Sequence, residues 1–243
     1  MNSVINGFFE KTFVLNMSIE QEKLAQIEKK MKHVNIDYTI FNAVNGRSKE
    51  YDKIWELYTK RPKSTYLEKQ YRKKFIESRG AFGYLKTMEA LIKQAIKFKY
   101  DNILIFDNDC LFDNDFDRKA KKFIQKINSK NWKVILFGAS DYGISEREVS
   151  TPYYSPIKLK TCGSFAIGIH NSCYKDILRE IQKMETPFDN MPLGQIYEKY
   201  PENCFVAFPN IVIADVSNSS IRSSRNLKLH SEKMKWKLDN FNC

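Results

Sequence analysis

The chain has 243 residues, 42% of them apolar and 14% aromatic, which suits one large α/β domain with a packed core and argues against disorder. A formal net charge of +11 favours an anionic partner, whether nucleic acid, a membrane surface or a phosphorylated small molecule. No stretch reaches the about 20 apolar residues of a membrane span, no basic-then-apolar leader opens the chain, and five cysteines without a C-x-x-C pair read as reduced thiols in a cytoplasmic setting.

"KTFVLNM" (11–17) reads as a short buried strand, and "SIEQEKLAQIEKKMKHV" after it as a helix with Ser18 as N-cap and Gln21 completing a capping box. Leu24, Ile27, Met31 and Val34 supply its apolar stripe, and "IDYTIFNAV" (36–44) is a second strand closed by Asn45-Gly46. Strand, helix and strand at this spacing predict a parallel βαβ unit. Residues 47–79 carry eleven Lys/Arg against five Asp/Glu and read as a basic, solvated helical insert. An amphipathic helix with a Gly-rich start (80–98) leads to the strand "NILIF", and a helix over 115–127 takes Asp115 or Asp117 as its N-cap. Strands follow at 133–140 and 163–170, then a helix from "SCYKDILREIQKM", a loop into a short helix over 186–200, and one or two strands in "CFVAFPNIVIAD". The tail, 223–243, is basic and aromatic; it reads as a helix covering a sheet edge or, with Trp236 and Phe241, as an interfacial helix on an anionic membrane. Alternating strands and helices give an α/β sheet protein, read as a single domain over 1–243.

"ILIFDNDCLF" holds the main chemical signal. If the strand stays extended, Asp107 and Asp109 point the same way from the carboxyl end of a buried strand, where ligands bind in open α/β sheets. Like charges so placed are costly unless a cation or hydrogen-bond donors compensate them, and Mg²⁺ or Mn²⁺ on two carboxylates, with water and phosphate oxygens completing the shell, does this well. Two solvated turn aspartates flanking Asn108 are the plainer alternative.

A strand ending in D-x-D resembles the GT-A glycosyltransferases, which implies their Rossmann-like α/β fold, a mixed, mostly parallel sheet flanked by helices, and the order of segments is similar to glycosyltransferase family 25, the lipopolysaccharide and collagen galactosyltransferase type. The matching segments, in order, are "FVLNM", "FNAVNG", "GAFGYLKT", the D-x-D strand, "VILFGAS", "CGSFAIGI", "PFDNMPL" and "PNIVIADVSNSSIR", spanning 12–222. The chain departs from the family pattern in "SIEQEK" for an Arg-rich helix start, Thr87-Met88 for Ser-His, and D-N-D for E-D-D.

The resemblance implies transfer of a hexose from a nucleotide-diphosphate sugar, UDP foremost, to a hydroxyl of a glycan, glycolipid or protein, with inversion and with Mn²⁺ or Mg²⁺. It assigns Leu15, Asn16, Asn42, Ala43, Val44, Lys86, Asp107, Asn108, Gly163 and Ser164 to the donor, and Asp107, Asp109 and His230 to the metal. Asp189 is the candidate base, with Asp141 in reserve; Asp215, Ser220 and Arg222 would approach the diphosphate or acceptor. Plainer roles stand beside these: Lys86 as a solvated helix lysine, Asp189 as a helix cap, His230 as a solvated imidazole, and His33 and His170 as structural residues. A nucleic-acid binder or metal-dependent nuclease would also use the charge, but no zinc pattern, RNP-like strand or second acidic cluster accompanies it. A non-catalytic scaffold of the same fold is the other alternative. The expected location is cytoplasmic, with peripheral membrane contact at most.

Overall fold

The computed structural model describes residues 3–144, 152–221 and 224–241; Arg222 lies outside them. In chain order the elements are α1 (Val4–Phe8), β1 (Lys11–Asn16), α2 (Gln21–His33), β2 (Thr39–Asn42), α3 (Asp52–Lys60), α4 (Tyr66–Tyr71), α5 (Arg79–Phe98), β3 (Asn102–Asp107), β4 (Cys110–Phe112), α6 (Phe116–Ile127), β5 (Val134–Leu136) and β6 (Ser140–Asp141). They continue with β7 (Tyr153–Tyr154), β8 (Thr161–Cys162), β9 (Ala166–His170), α7 (Tyr174–Gln182), α8 (Met191–Lys199), β10 (Cys204–Ala207), β11 (Val212–Ala214) and α9 (Leu227–Met234).

A seven-stranded sheet in the order β2-β1-β3-β9-β5-β10-β7 forms the centre. β1 pairs in parallel with both β2 and β3, as the βαβ reading requires, and β5 with β10; β9 and β7 run against the rest. Along β3 the two-residue alternation of a strand sorts the core. Leu104 and Phe106 face a layer that includes Ile27 and Met31 of α2 and Phe123 and Ile127 of α6. Ile103 and Ile105 face the other layer, with Leu85, Leu91 and Ile92 of α5, Ile177 of α7 and Ile196 of α8.

The 47–79 segment is helical but only partly solvated. Tyr58, Leu67 and Ile76 are buried, and Trp55 packs on Phe82 at 5.6 Å between ring centres. Several of its cations are taken up locally: Arg61 and Lys74 by Glu68, Lys73 by Glu77, Arg79 by Asp52. Its charge is therefore less available to an outside polyanion than the sequence count suggests.

Some local expectations shift. α2 begins at Gln21 without a side-chain cap; Gln21 Nε2 donates to the Ser18 carbonyl, and the Glu20 side chain is drawn toward Ser220, Lys23 and Asn108. Asp115 holds the N-cap position of α6 but pairs with Arg118 instead of capping. In the tail, Trp236 donates to the Ala139 carbonyl at 3.0 Å and is buried with Phe241, so these rings belong to the core and not to a membrane-facing surface. Among the described residues no helix is long and apolar enough to cross a membrane.

Candidate active site

β3 ends at Asp107, and residues 108 and 109 form a turn into β4. The turn, and not continued strand alternation, sets Asp109 beside Asp107. β4 pairs antiparallel with β11, and the Asp215 N–H donates to the Asp109 carbonyl at 2.9 Å, which pins the C-terminal segment against the motif.

Two clefts meet at this turn, and Tyr84, Asp107, Asp109 and Ile221 line both. One cleft extends between Leu15 at the end of β1, the Ala43–Arg47 stretch after β2, Gly80, Thr87 and Ser220. The helix start approaches the 44–46 backbone so closely that a Cβ on Gly83 would stand 2.6 Å from the Val44 carbonyl, and one on Gly46 would stand 2.0 Å from the Arg79 carbonyl. These glycines therefore admit the contact that forms this wall. Thr87 Oγ1 accepts from the Val44 N–H at 2.9 Å and fixes the same seam.

The other cleft runs past Ser140, Gly163, Ser164, Phe188 and Asp189. Gly163 has φ +88°, a conformation natural to glycine, and its N–H donates to Asp189 Oδ2 at 2.9 Å. Asp189 is thus a half-buried wall residue oriented by Gly163. It is not the cap of α8, whose N-cap position is Asn190.

The electrostatics single out the aspartate pair. Asp109 Oδ1 is buried and has no hydrogen-bond partner. Burial raises the Asp109 carboxyl to about 6, with Asp215 and Glu20 adding to the rise and Lys23 opposing it. Burial and the neighbouring Asp109 push Asp107 well above the usual carboxylate range, although the Tyr84 hydroxyl donates to Asp107 Oδ1 at 3.2 Å. Two carboxylates short of compensation, one with an orphaned oxygen, suit a hard divalent cation. Among the described residues no group of three His, Cys, Asp or Glu side chains stands ready to hold a metal, so water and phosphate oxygens would complete the shell.

The remaining candidates divide clearly. Leu15, Ala43, Val44 and Asn108 line the first of these clefts, and Gly163 and Ser164 the second. Asn16 stands behind the wall, its Oδ1 accepting from Asn108 Nδ2 at 2.6 Å, and Asn42 is exposed at the end of β2. Lys86 is paired with Glu89 at 2.7 Å and lines neither cleft, because α5 turns it away from the face of Gly80, Tyr84 and Thr87. Asp141 is 2% exposed and accepts from the Gly143 N–H and Thr161 Oγ1, both at 2.8 Å, which makes it a corner brace and not a reserve base. His230 is buried against Trp236, with ring centres 5.0 Å apart, and meets Ser140 Oγ at 3.2 Å, so the structure does not bring it into a metal-binding group with the aspartates. Its burial, then Arg225 and Lys233, hold its imidazole below the usual value. Ser220 lines the first cleft and its hydroxyl bonds Glu20, whereas Asp215 lines neither cleft: it caps the turn at 216–218 through Ser217, and its side chain acts on Asp109 only through its charge.

Sequence reasoning passed over Tyr84, Glu20 and Arg225. Helical spacing carries a signal for the first: positions 80, 84 and 87 share one face of α5, and that face looks onto the strand ends. Glu20 is hidden in an expected capping box, and Arg225 in a tail that reads as a basic, aromatic covering helix.

Among solved structures, the chain is similar to a glycosyltransferase involved in glycosylation of the major capsid of PBCV-1, at 12% identity over 93% of this chain and 97% of that one, with a TM-score of 0.37. It is also similar to mouse xyloside xylosyltransferase 1 (9%, 80% and 70%, TM-score 0.40) and to a Thermus thermophilus protein described as mannose-1-phosphate geranyltransferase (8%, 81% and 73%, TM-score 0.37). No protein of curated function matches the sequence. The pattern of "Glycosyltransferase family 25 (LPS biosynthesis protein)" matches residues 9–187, most of the chain, and the chain therefore belongs to that family and is a glycosyltransferase.

Proposed function

We propose that the protein moves a hexose from UDP to a hydroxyl of a glycan, glycolipid or protein, with inversion at the anomeric carbon and with Mn²⁺ or Mg²⁺ held by Asp107 and Asp109. The single observation that carries this reading is the orphaned Asp109 Oδ1 beside Asp107 at the junction of the two clefts. When bound, the cation neutralises negative charge developing on the departing diphosphate.

The chain's own groups do the rest. Leu15, Ala43 and Val44 form a narrow, largely apolar wall for the nucleoside, and its closeness depends on Gly46 and Gly83. Tyr84 orients Asp107 and links it to Ser164 Oγ at 2.9 Å, so the donor pocket and the sugar pocket share one fixed hydroxyl. Gly163 holds one oxygen of Asp189, leaving Oδ1 to take the acceptor hydroxyl proton from the side of the cleft away from the nucleotide wall.

A panel of UDP-, GDP- and dTDP-sugars tests this. UDP-hexose with Mn²⁺ should raise the melting temperature and be hydrolysed slowly. Asp189→Asn should keep that thermal shift and lose transfer by at least about 100-fold. If no nucleotide sugar shifts the melting temperature, with or without metal, the donor reading falls.

A further inference from the structure

The sugar-side cleft does not end at Asp189. It opens outward into a groove that shares Ala81, Pro187 and Arg225 with it and is walled beyond them by Lys73, Phe75 and Asn190. Along this trough the charge changes sign. The inner end carries Asp107, Asp109 and Asp189, and the outer end carries Arg225, Lys73 and Glu77.

Arg225 is exposed and forms no ion pair among the described residues; its guanidinium donates to Tyr142 Oη at 3.4 Å, a weak use of a five-donor group. Lys233 Nζ lies 4.9 Å from the centre of the Tyr142 ring, so a second cation flanks the same 41% exposed tyrosine. Across the groove, Lys73 Nζ stands 4.9 Å over Phe75 and pairs with Glu77 at 2.9 Å. Glu77 offsets Lys73, so the net positive charge at the mouth rests on Arg225.

We infer that this outer groove is an acceptor subsite for a saccharide carrying an acidic group, a phosphate or a carboxylate, docked on Arg225. The inference rests on the glycosyltransferase reading above. A guanidinium matches planar oxyanions with paired N–H donors. Phe75, in the groove wall, offers an apolar ring beside the cations for the sugar. Asp189 repels an acid placed deep in the cleft while Arg225 attracts one at the mouth, so one orientation of the acceptor is favoured and the reverse is penalised. The acidic group is thereby kept away from the base, and a neutral hydroxyl is presented to Asp189.

Isothermal titration of the full chain, saturated with UDP and Mn²⁺, tests this with galactose, galactose 6-phosphate, galacturonate and inorganic phosphate as probes. Both acidic sugars should bind at least about tenfold more tightly than galactose. Arg225→Ala should bring that ratio near one, Arg225→Glu should invert it, and Lys73→Ala should lower it less. Both side chains are exposed, and melting curves confirm that the variants are folded. Equal affinity for galactose and the acidic sugars overturns the subsite, as does a ratio that survives Arg225→Ala. Inorganic phosphate binding as tightly as galactose 6-phosphate overturns it in favour of a free-anion site. Failure of UDP and Mn²⁺ to bind refutes the donor reading instead, and the same sugar titrations of the unloaded protein then decide the subsite.

Discussion

Glu68, in the 47–79 segment, is fully buried, yet Arg61 donates to both its oxygens at 3.0 Å, Lys74 stands 3.1 Å away, and the Ser64 and Thr65 N–H groups complete its shell. Burial alone would raise its carboxyl; the hydrogen bonds from Lys74, Thr65 and Ser64, with Arg61, bring it below the usual value. Asp109, at the rim of the sheet, is half-buried, but its Oδ1 is shielded from water and has no partner, and the carboxyl is pushed up to about 6. The same chain therefore shows that it can compensate a buried carboxylate with local cations and backbone donors, and that at the turn after β3 it leaves one uncompensated. Buried polar groups are normally satisfied, so an orphaned carboxylate oxygen at the junction of two clefts is a position where an external ligand would supply the missing partner. Asp141 falls on the satisfied side of this division, with both oxygens engaged by Gly143 and Thr161.

The largest effects should separate the two carboxylates by kind. Asp107→Asn and Asp109→Asn should each lower transfer at least about 100-fold, while the melting temperature at pH 7 holds or rises, because a repulsive, partly buried charge is removed. Glu68→Gln should do the reverse. It strips the countercharge from Arg61 and Lys74 and costs about 3 kcal/mol in urea unfolding, while the folded fraction keeps its turnover. An Asp109 variant that unfolds readily, or a Glu68 variant that is stable but inactive, would break the comparison.

How much of this was legible depends on whether a feature is local. The β3 strand, the flanking helices and the parallel βαβ unit follow from apolar runs and 3.6-residue stripes, which report burial directly. The D-x-D pair was legible because two charges ending a buried strand conflict with local rules. The direction of β9 was not, since an apolar run carries no sign of whether it pairs parallel or antiparallel. The fates of Lys86, Asp141 and His230 depend on partners distant in sequence or on which helix face turns inward, and residue type does not encode these. Glu89 is three residues from Lys86, and that spacing alone could have predicted the ion pair.

The pH dependence of stability sharpens the same contrast. Between about 4 and about 6 the folded chain keeps a proton on Asp109 that the unfolded chain has released, so the folded state binds more protons there and stability falls as pH rises. Asp107 acts in the same direction and extends the loss upward in pH. Without metal, the wild type should therefore lose about 5 °C of melting temperature relative to Asp109→Asn between pH 4 and pH 7. Mn²⁺ with UDP should recover that loss in the wild type and leave the variant unchanged, because the ion requires the ionised pair. Glu68 has the opposite sign: its lowered carboxyl contributes stability above the ordinary glutamate range that disappears as pH falls through its folded value.

The smallest effect should come from Tyr84→Phe, which removes one hydroxyl and leaves the ring in place against Phe188. Burial and the nearby Asp107 hold the Tyr84 hydroxyl far above its usual value, so it stays a neutral donor throughout the working range. Its loss frees Asp107 Oδ1 from its tyrosine partner and cuts the link to Ser164. If Tyr84 positions Asp107, the concentration of Mn²⁺ needed for half-maximal activity should rise about fivefold with little change in the saturated rate, in line with one neutral hydrogen bond. A purely structural tyrosine would instead lower the melting temperature and leave the metal requirement where it was. The far larger losses at Asp107 and Asp109 should be insensitive to added Mn²⁺, whereas excess metal should restore Tyr84→Phe, which distinguishes a group that would hold the ion from one that orients its holder.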